Sequence, residues 1–436
     1  MILAMTKNRG IGFKGKLPWY LSEELKLFKS KTINKCILVG SKTLETLPYL
    51  DSRNIYCLTR KPKDQIKTNN PVKIIRNIND IKGSEVIVAG GAKIYDLAIR
   101  NNIVDKISLS VVKGDYTCDT HVSHNIFDDF VVKKKEEFHN FSHYDLVKTN
   151  NGEKQYLNLI KNILTNGHIE KTRNGKTIST FANHLQFDLR NGFPLITTKK
   201  MFTRGILEEL LFFLRGDTNT KYLEDKGINI WKDNTSREFL DKNGFVDRQE
   251  GVLGPMYGYQ FRNFNAKYDE TNSKNCETGF DQFQYVLKTI CTDPTSRRIL
   301  MTSFNPLQMF QGVLFPCHSI VIQFYVQEQY LDMYAMNRSS DVFLGLPFNI
   351  AYYGFLLELV AKMTNKQARM LNISLGDTHI YPQHILPCKT QYNRIPYHFP
   401  KLSIVGDIKN INDITVNNFK ISNYQHHSIL KAPMIA

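Results

Sequence analysis

The hydrophobic pattern of this sequence changes near residue 150, and the change divides the chain into two parts of different architecture. In the first part, short strand-like runs alternate with short helical segments; the runs lie at 35–39, 54–58, 72–75, 85–89, 130–132 and 143–147. Such a rhythm is typical of an α/β fold, with a mixed sheet and flanking helices. We therefore predict an α/β domain over residues 1–148.

A short polar segment follows, and the pattern after it is different. Beyond 149–154, the apolar residues Tyr156, Ile160 and Ile163 recur at helical spacing, and long helices and strands are mixed in the remainder. A polar stretch between two periodic segments indicates a linker. We predict a linker over 149–154 and a larger α+β domain over 155–436.

The bulk composition excludes several classes of protein. No apolar run approaches the roughly 18 residues that a membrane helix needs, so we predict no membrane partner. The amino-terminal residues, 1–7, show no secretory signal. The seven cysteines are scattered without a C-x-x-C pair, which argues against a disulfide framework and against a zinc site. We expect a cytoplasmic protein without a bound metal.

The formal net charge of +16 is the unusual bulk property. It fits either a solvated, lysine-rich surface or a protein that binds nucleic acid through its phosphates. The basic residues are dispersed, and the one short cluster is 133–135. Dispersion favours the solvated surface, so we predict no dedicated nucleic-acid partner. An RNA-binding regulator is the rival hypothesis.

A carboxylate lies on an apolar helix face near the amino terminus. If 20–29 is helical, Leu21, Leu25 and Phe28 share one face at spacings of four and three. Glu24 falls on that same face. A carboxylate there is costly without a partner, and its pKa should rise, which suits an acid. A glutamate at the helix edge that reaches solvent is an equally compatible interpretation.

Two glycine-containing junctions, 39–43 and 88–93, each join a strand-like run to a helix. Backbone N–H groups at helix starts can hold phosphate groups, although most Gly-Gly pairs are simply turns. Together with Glu24, these junctions resemble dihydrofolate reductase over nearly the whole of 1–148. The matching residues are Gly10-Ile11-Gly12, Leu17-Pro18-Trp19, Glu24, Phe28, Gly40–Thr43, Arg53, Thr59-Arg60, Gly90-Gly91 and Asp119-Thr120.

This resemblance implies an enzyme that reduces dihydrofolate with NADPH. It implies that Glu24 holds the pterin and assists its protonation, while Phe28 packs on the folate. Arg53 would pair with the glutamate carboxylate of the folate, a geometry suited to a guanidinium group. Thr120 would support Glu24 through its hydroxyl.

The resemblance also implies the residues that bind NADPH, which are Ala4, Gly12, Gly40, Lys42, Thr43, Thr59, Arg60, Gly90 and Gly91. Arg60 beside Thr59 would favour NADPH over NADH. Two departures from the family are that Ala92 replaces the third glycine of its Gly-Gly-Gly turn and that the chain begins late relative to its first strand. The alternative hypothesis is therefore a weak or non-catalytic reductase domain beside an active second domain.

The second domain carries a candidate nucleophile and several arginines. Cys317 precedes an alternating strand, 320–325. A lone cysteine is commonly a small buried hydrophobe, and as a nucleophile it would need positive charge nearby. Arg338 lies on the next predicted strand, and Arg297-Arg298 lies on an earlier one. These arginines fit either solvated charge with one ion pair or a phosphate site.

A predicted helix, 203–214, is apolar on nearly every side, which is typical of a buried helix. It nevertheless contains Glu209, which lies between Phe212 and Phe213 on the helical wheel. A carboxylate in that position needs a polar partner or a catalytic role. The periodicity alone does not choose between the two.

Residues 153–436 resemble thymidylate synthase from end to end, through the segments 193–200, 253–258, 296–299, 315–318, 337–349 and 376–381. By this resemblance Cys317 attacks C6 of dUMP, and the neighbouring ring carbon takes a methylene group from the co-substrate 5,10-methylenetetrahydrofolate. Glu209 would organise water and move protons, and Tyr257 and His318 would help to shuttle them. The dihydrofolate released would be the substrate of the first domain, an order that resembles the fused enzymes of plants and protists.

The same resemblance implies how substrates are bound. The residues implied for dUMP are Arg173, Arg297, Arg298, Arg338, Ser339, Asp341, Asn349, His379 and Tyr381, and those implied for the folate are Trp231, Asp341 and Ala436. Arg297 and Arg298 would come from a second subunit, which implies a homodimer through this domain. Asn349, counted also among the catalytic residues, has an amide that both donates and accepts, which favours dUMP over dCMP.

Overall fold

The chain divides into two units, Met1–Asn151 and Gly152–Ala436. The structure, a computed structural model, describes residues 1–81, 85–149, 152–270, 278–408 and 410–435. Residues 150 and 151 of the predicted linker lie outside these ranges, so its limits, 149–154, stay a prediction. No helix in the described ranges is long and apolar enough to cross a membrane.

The first unit has the predicted α/β fold. Its strands are β1 (Ile2–Thr6), β2 (Gly10–Gly12), β3 (Cys36–Gly40), β4 (Asn54–Leu58), β5 (Val72–Ile75), β6 (Val86–Gly90), β7 (Lys106–Val112), β8 (Thr120–His121), β9 (Phe130–Glu137) and β10 (Phe141–Lys148). Its helices are α1 (Ser22–Thr32), α2 (Ser41–Leu44) and α3 (Ala92–Arg100).

Eight of the ten strands of this unit form two sheets of four, and β2 and β8 form a separate antiparallel pair. One sheet has the order β5-β4-β3-β6 and is parallel throughout. The other has the order β1-β7-β10-β9, in which β1 is parallel to β7 and the other pairs are antiparallel. The carboxyl ends of β3, β4 and β6 therefore meet at one edge, where ligands of parallel sheets bind.

Helix α1 buries a different stripe from the one predicted. Leu21 and Leu27 pack against the core, and Glu24 is buried, but Leu25 is exposed. The stripe that faces the sheet passes through Glu24 and, two turns later, Lys31. Leu25 comes one residue after Glu24, so it is rotated by roughly 100° away from that stripe.

The second unit mixes long strands and helices, as predicted for an α+β fold. Its strands are β11 (His168–Thr172), β12 (Gly175–Asp188), β13 (Leu300–Met301), β14 (Val321–Gln327), β15 (Tyr330–Asp341), β16 (Gln367–Ile380), β17 (Lys401–Ile404) and β18 (Phe419–Ser422). Its helices are α4 (Glu153–Asn166), α5 (Thr203–Leu214), α6 (Lys221–Glu224), α7 (Arg237–Lys242), α8 (Gly258–Asn263), α9 (Gln282–Thr292), α10 (Gly345–Met363) and α11 (Ile385–Tyr392).

A six-stranded sheet with the order β11-β12-β16-β15-β14-β13 organises this unit, and β15 and β16 are its parallel pair. Helix α10 is apolar on nearly every side and is buried, as is α5, whose predicted range of 203–214 is confirmed. Side chains alternate along each strand between the two faces of the sheet. One face joins the core, and the other leaves Tyr325 and Met336 61% and 36% exposed.

Candidate functional sites

Cys317 is held between a tyrosine and an arginine. Its carbonyl accepts hydrogen bonds from the backbone N–H groups of Arg338, at 3.0 Å, and Ser339, at 3.4 Å. The Cys317 N–H donates to the Tyr257 hydroxyl at 3.0 Å, and that hydroxyl lies 3.5 Å from Sγ. Burial raises the pKa of the Cys317 thiol, whereas the Tyr257 hydroxyl and the Arg338 charge lower it. Tyr257 and Arg338 thus partly offset the effect of burial, which favours the protonated thiol.

The Arg338 guanidinium is fixed without a carboxylate. Its Nε donates to the Pro316 carbonyl at 2.7 Å, its Nη2 donates to the Phe315 carbonyl at 2.9 Å, and it lies 4.8 Å from the centre of the Phe315 ring. Within the described ranges it pairs with no acidic side chain. Its positive charge is therefore free to act on the Cys317 sulfur and on a bound anion.

Glu209 lies on α5 at one end of an aromatic cluster. Its Oε1 accepts a hydrogen bond from Trp231 Nε1 at 2.8 Å. Burial raises the pKa of Glu209 to about 7, and the Trp231 hydrogen bond opposes that rise. The Tyr257 ring lies 6.1 Å from that of Trp231 and stacks on His318 at 4.5 Å. Burial lowers the pKa of His318 to about 4, so its ring is neutral near pH 7.

In the first unit, Glu24 is buried on α1, which is one of the two interpretations that the sequence left open, and burial raises its pKa. The hydroxyl that acts on Glu24 and lowers its pKa is that of Ser110 on β7. Thr120, the residue expected there, is exposed on β8 and donates to Asp119 at 2.9 Å. The expectation for Thr120 is therefore corrected to Ser110, because β7 rather than β8 passes beneath α1 at this point.

Comparison with known proteins identifies both units. Residues 1–150 match the family model for dihydrofolate reductase, and residues 154–436 match that for thymidylate synthase. A bifunctional dihydrofolate reductase-thymidylate synthase from Paramecium tetraurelia is 36% identical over 459 residues, covering 100% of this chain and 98% of that protein. The chain belongs to the bifunctional dihydrofolate reductase–thymidylate synthase family. Proteins of the same name from Daucus carota and Arabidopsis thaliana are 33% and 32% identical, each covering 100% of this chain and 95% of its relative.

In the synthase unit, a buried hydrogen-bond chain connects Ser319 to Asn349. The Ser319 N–H donates to the Tyr353 hydroxyl at 2.7 Å, and that hydroxyl donates to Asn337 Oδ1 at 2.5 Å. Asn337 Nδ2 then donates to Asn349 Oδ1 at 3.2 Å. Tyr353 and Asn337 orient the Asn349 amide, a function that periodicity did not reveal because both lie within ordinary strand and helix patterns.

The parallel pair β15 and β16 gathers further predicted residues. Its register places Asp341 opposite His379, whose Nδ1 lies 2.6 Å from Asp377 Oδ1. Arg173 lies in the turn between β11 and β12. Burial raises the pKa of the Tyr381 phenol, and the Arg173 charge acts against that rise, so the turn brings Arg173 towards Tyr381.

Two other predicted residues of this unit lie in an exposed loop. Arg297 and Arg298 are exposed and lie in the loop before β13 rather than on a strand. Ala436 lies outside the described residues. Lys199, which was not predicted, is buried with its Nζ donating to the Phe343 carbonyl, and burial lowers its pKa to about 8. It lies in a loop, where no periodicity marks it.

In the reductase unit, the predicted folate residues lie along α1. Phe28 is half-buried one turn beyond Glu24. Arg53 is buried beside the carboxyl end of the helix, where Nη1 donates to the Asp51 carbonyl at 2.8 Å and Nη2 lies 3.3 Å from Thr32 Oγ1. These bonds hold the guanidinium group in one position.

The predicted NADPH residues gather largely at the carboxyl edge of the parallel strands. Gly40 ends β3, and Lys42 and Thr43 follow it. Thr59 and Arg60 follow β4, Gly90 and Gly91 join β6 to α3, and Ala4 and Gly12 lie on β1 and β2. Gly90 has a φ of 130°, and a Cβ on Gly91 would lie 3.0 Å from Thr43 Oγ1. Glycine is thus required at this turn, and the edge fits a phosphate-bearing cofactor. Arg76, not predicted, donates to the Thr59 carbonyl at 2.6 Å.

Proposed function

We propose that this chain catalyses two consecutive reactions, each in one unit. The synthase unit converts dUMP to dTMP with 5,10-methylenetetrahydrofolate, and the reductase unit reduces the dihydrofolate product to tetrahydrofolate with NADPH. The observation that carries this proposal is the Cys317 thiol between the Tyr257 hydroxyl and the free Arg338 charge. Family membership over the whole chain supports the pairing of the two activities.

In the synthase reaction, Cys317 is the nucleophile that attacks C6 of dUMP. Arg338 stabilises its thiolate and, with Ser339 and Arg173, binds the nucleotide phosphate, because guanidinium groups match phosphate geometry. Asn349 binds the uracil edge and selects dUMP. His379 and Tyr381 bind the ribose hydroxyl.

Glu209 moves protons during this reaction. Its pKa of about 7 lets it gain and lose a proton near neutral pH, which suits general acid–base catalysis. Tyr257 and His318 stack beside it and help to shuttle protons. Trp231, Asp341 and the carboxyl-terminal Ala436 contact the folate.

In the reductase reaction, Glu24 holds the pterin and assists its protonation, because burial raises its pKa and so favours its acid form. Phe28 packs on the folate, and Arg53 binds the glutamate carboxylate. NADPH, when bound, supplies the hydride. Its phosphates are held at the glycine turn Gly90-Gly91 and near Arg60.

The synthase unit acts as a homodimer through its exposed sheet face. Tyr325 and Met336 expose apolar surface on that face, and exposed apolar patches mark interaction surfaces. Self-complementary pairing of identical faces is the common route to dimers. In this arrangement Arg297 and Arg298 reach the phosphate site of the partner subunit.

The protein acts in the cytoplasm. The described cysteines, Cys317 included, are all unpaired. A thiol nucleophile works in a reducing compartment, where it is not consumed by disulfide formation.

Incubation of the protein with dUMP, methylenetetrahydrofolate and NADPH tests both activities at once. We expect dTMP and NADP⁺ to rise in step. Cys317→Ser should abolish dTMP formation while added dihydrofolate is still reduced. If dTMP forms but dihydrofolate accumulates with NADPH unconsumed, the reductase assignment is wrong, and a weak or non-catalytic reductase domain is the correct alternative. Absence of dTMP overturns the synthase assignment.

Mixing two inactive variants tests the dimer. A heterodimer of Cys317→Ser with Arg298→Ala contains one site with an intact cysteine and an intact partner arginine. We therefore expect synthase activity to return when the variants are unfolded and refolded together. If each variant stays inactive in the mixture although heterodimers form, Arg298 does not act across the interface.

A further inference from the structure

A line of polar side chains runs beneath α1 of the reductase unit, from Glu24 to the surface. Ser110 interacts with Glu24 and lowers its pKa, against the effect of burial, and the Ser110 Oγ lies 3.3 Å from His143 Nδ1. His143 Nε2 lies 3.4 Å from Asp145 Oδ1, and the same oxygen lies 2.6 Å from Lys31 Nζ. The line therefore begins at the proposed acid and ends at an ion pair.

Strand geometry explains why these residues are aligned. The antiparallel pair β7 and β10 places His143 opposite Ser110 and Asp145 opposite Ser108. Residues two apart on a strand point to the same face, so all four share one side of the sheet. Ser110 and His143 are buried, whereas the side chains of Asp145 and Lys31 are 37% and 31% exposed. The end of the line at Ser110 is therefore buried, and the end at Asp145 and Lys31 is accessible to solvent.

The ring of His143 has two possible hydrogen-bond arrangements. Burial lowers its pKa, so it is neutral near pH 7, with one N–H and one lone pair. If Nε2 carries the proton, it donates to Asp145, and Nδ1 accepts from Ser110. If Nδ1 carries the proton, it donates to Ser110, and Nε2 accepts from Ser108, whose Oγ is 3.3 Å away.

The Ser110 hydroxyl has one proton and two possible acceptors, Glu24 and His143. Ionised Glu24 attracts that proton, which requires His143 to carry its own on Nδ1. Protonated Glu24 can instead donate to the Ser110 oxygen. The Ser110 hydroxyl then donates its hydrogen bond to His143 Nδ1, which requires the ring proton of His143 to be on Nε2. Each protonation state of Glu24 therefore corresponds to one arrangement of His143.

We propose that His143 is a positioning residue of the reductase: through Ser110 it couples the protonation of Glu24 to the Asp145–Lys31 ion pair. This inference rests on the proposed role of Glu24 as the acid. His143 touches no substrate in this scheme and acts only through the direction of the Ser110 hydroxyl.

Other charges also act on this line. From α1, Lys31 lowers the pKa of His143, and from β10 and β9, Asp145 and Glu136 raise it. Tyr95 of α3 lies near Glu24, and burial together with the Glu24 charge raises the pKa of its phenol. The Tyr95 hydroxyl donates to the Ile2 carbonyl at 2.8 Å, so its proton does not take part in the hydrogen bonds between Glu24 and Asp145.

The pH dependence of dihydrofolate reduction by the full chain tests the proposal. In His143→Leu the Ser110 hydroxyl has Glu24 as its one acceptor on the line, which stabilises ionised Glu24. The acid form is then lost at lower pH, so the midpoint of the falling limb should move down by about half to one pH unit, as expected for one redirected hydrogen bond to a charge. His143→Gln, which can both donate and accept, should restore part of the shift.

Ser142→Ala is the matched control, because Ser142 is the residue before His143 and donates instead to Glu137 at 2.7 Å. We expect its midpoint to equal that of the wild type. A purely structural His143 would lower the rate equally at every pH without moving the midpoint. That result, or an equal shift in Ser142→Ala, would overturn the proposal.

Nitrogen NMR of labelled histidine separates this inference from the proposed function. The His143 ring signals, assigned by their loss in His143→Gln, should change tautomer with the midpoint of Glu24, and Glu24→Gln should abolish that step. Ring signals that stay constant through the Glu24 titration would refute the coupling. A wild-type protein unable to reduce dihydrofolate would instead refute the proposed function, while the NMR result would still decide the inference.

Discussion

Glu153 and Glu209 are both buried carboxylates of the synthase unit, but their surroundings differ. Glu153 accepts from the Thr197 N–H at 2.9 Å, the Thr197 hydroxyl at 2.6 Å and the Thr198 N–H at 2.8 Å. The described residues offer Glu209 one hydrogen bond, from Trp231. Burial raises the pKa of both groups. Because three donors surround Glu153, we interpret it as a structural anchor. Glu209 has one donor, so its remaining lone pairs are available to bind water or to accept a proton.

Helix position contributes to this difference. Glu153 is the first residue of α4, where a carboxylate is stabilised by the positive end of the helix dipole. Glu209 lies in the middle of α5, where the dipole offers no such help. A raised pKa alone therefore does not identify a catalytic group, and the number of donors around the group must also be counted.

Glu209→Gln tests the chemical half of this comparison and should have the largest effect. The amide keeps the shape of the side chain but cannot gain or lose a proton. We expect synthase kcat to fall by about 100- to 10,000-fold, the usual contribution of general acid–base catalysis. Thermal stability should not decrease, and dTMP formation together with calorimetry measures both.

The matched control is Glu358→Gln on α10, because burial raises the pKa of Glu358 to about 7 as well. It lies outside the proposed site, so its synthase turnover should be unchanged. An equal loss of turnover in both variants would show that burial, not position, produces the effect.

Glu153→Ala tests the structural half. It leaves the backbone N–H groups of Thr197 and Thr198 without their buried acceptor. We expect the free energy of unfolding to fall by about 3–5 kcal/mol, measured by urea denaturation, because a hydrogen-bonded buried charge is removed from its partners. Turnover per folded molecule should stay near that of the wild type. A loss of turnover without a loss of stability would contradict the assignment of Glu153 as an anchor.

Trp231→Phe removes the hydrogen bond to Glu209 and keeps an aromatic ring. Because that bond lowers the pKa of Glu209, its loss should raise the pKa above about 7, by roughly half to one unit. A raised pKa contributes stability that is complete below the ordinary value of 4.5 and is lost as pH rises through the folded value. The decline of unfolding free energy with pH should thus extend to higher pH than in the wild type. In the double variant Trp231→Phe/Glu209→Gln, the decline of unfolding free energy should not extend to higher pH. If it does, a group other than Glu209 is responsible for the change.

Thr197→Val should have the smallest effect, because Glu153 keeps two backbone donors. The hydroxyl that is lost also accepts from the Tyr397 N–H at 2.9 Å. We expect a cost of about 1–3 kcal/mol in unfolding free energy. Thr165→Val, whose exposed hydroxyl bonds the Lys161 carbonyl, is the control and should change stability by less than about 0.5 kcal/mol. Equal losses of unfolding free energy in the two variants would show that the Thr197 hydrogen bond to Glu153 stabilises the fold no more than an exposed one.

The two carboxylates also differ in how far the sequence anticipates them. Glu209 interrupts an apolar helix, so periodicity alone marks it as unusual, although it does not say whether the residue is structural or catalytic. Glu153 begins α4 after a polar segment, where a glutamate attracts no attention. Its burial depends on the Thr197 loop, which lies 44 residues away along the chain. A one-dimensional pattern cannot reveal a contact of that kind.

Local periodicity and the order of motifs were enough to predict the α/β and α+β units and the range of α5, because these depend on neighbouring residues. Periodicity left open whether Glu24 is buried. The partner of Glu24 was wrong in the prediction, since Ser110 and Thr120 are equally plausible hydroxyls until the strand beneath α1 is known. His143, Tyr353 and Lys199 became visible only in the tertiary structure. Hydrogen bonds between distant segments depend on distances of a few tenths of an ångström, which packing decides and spacing along the chain does not.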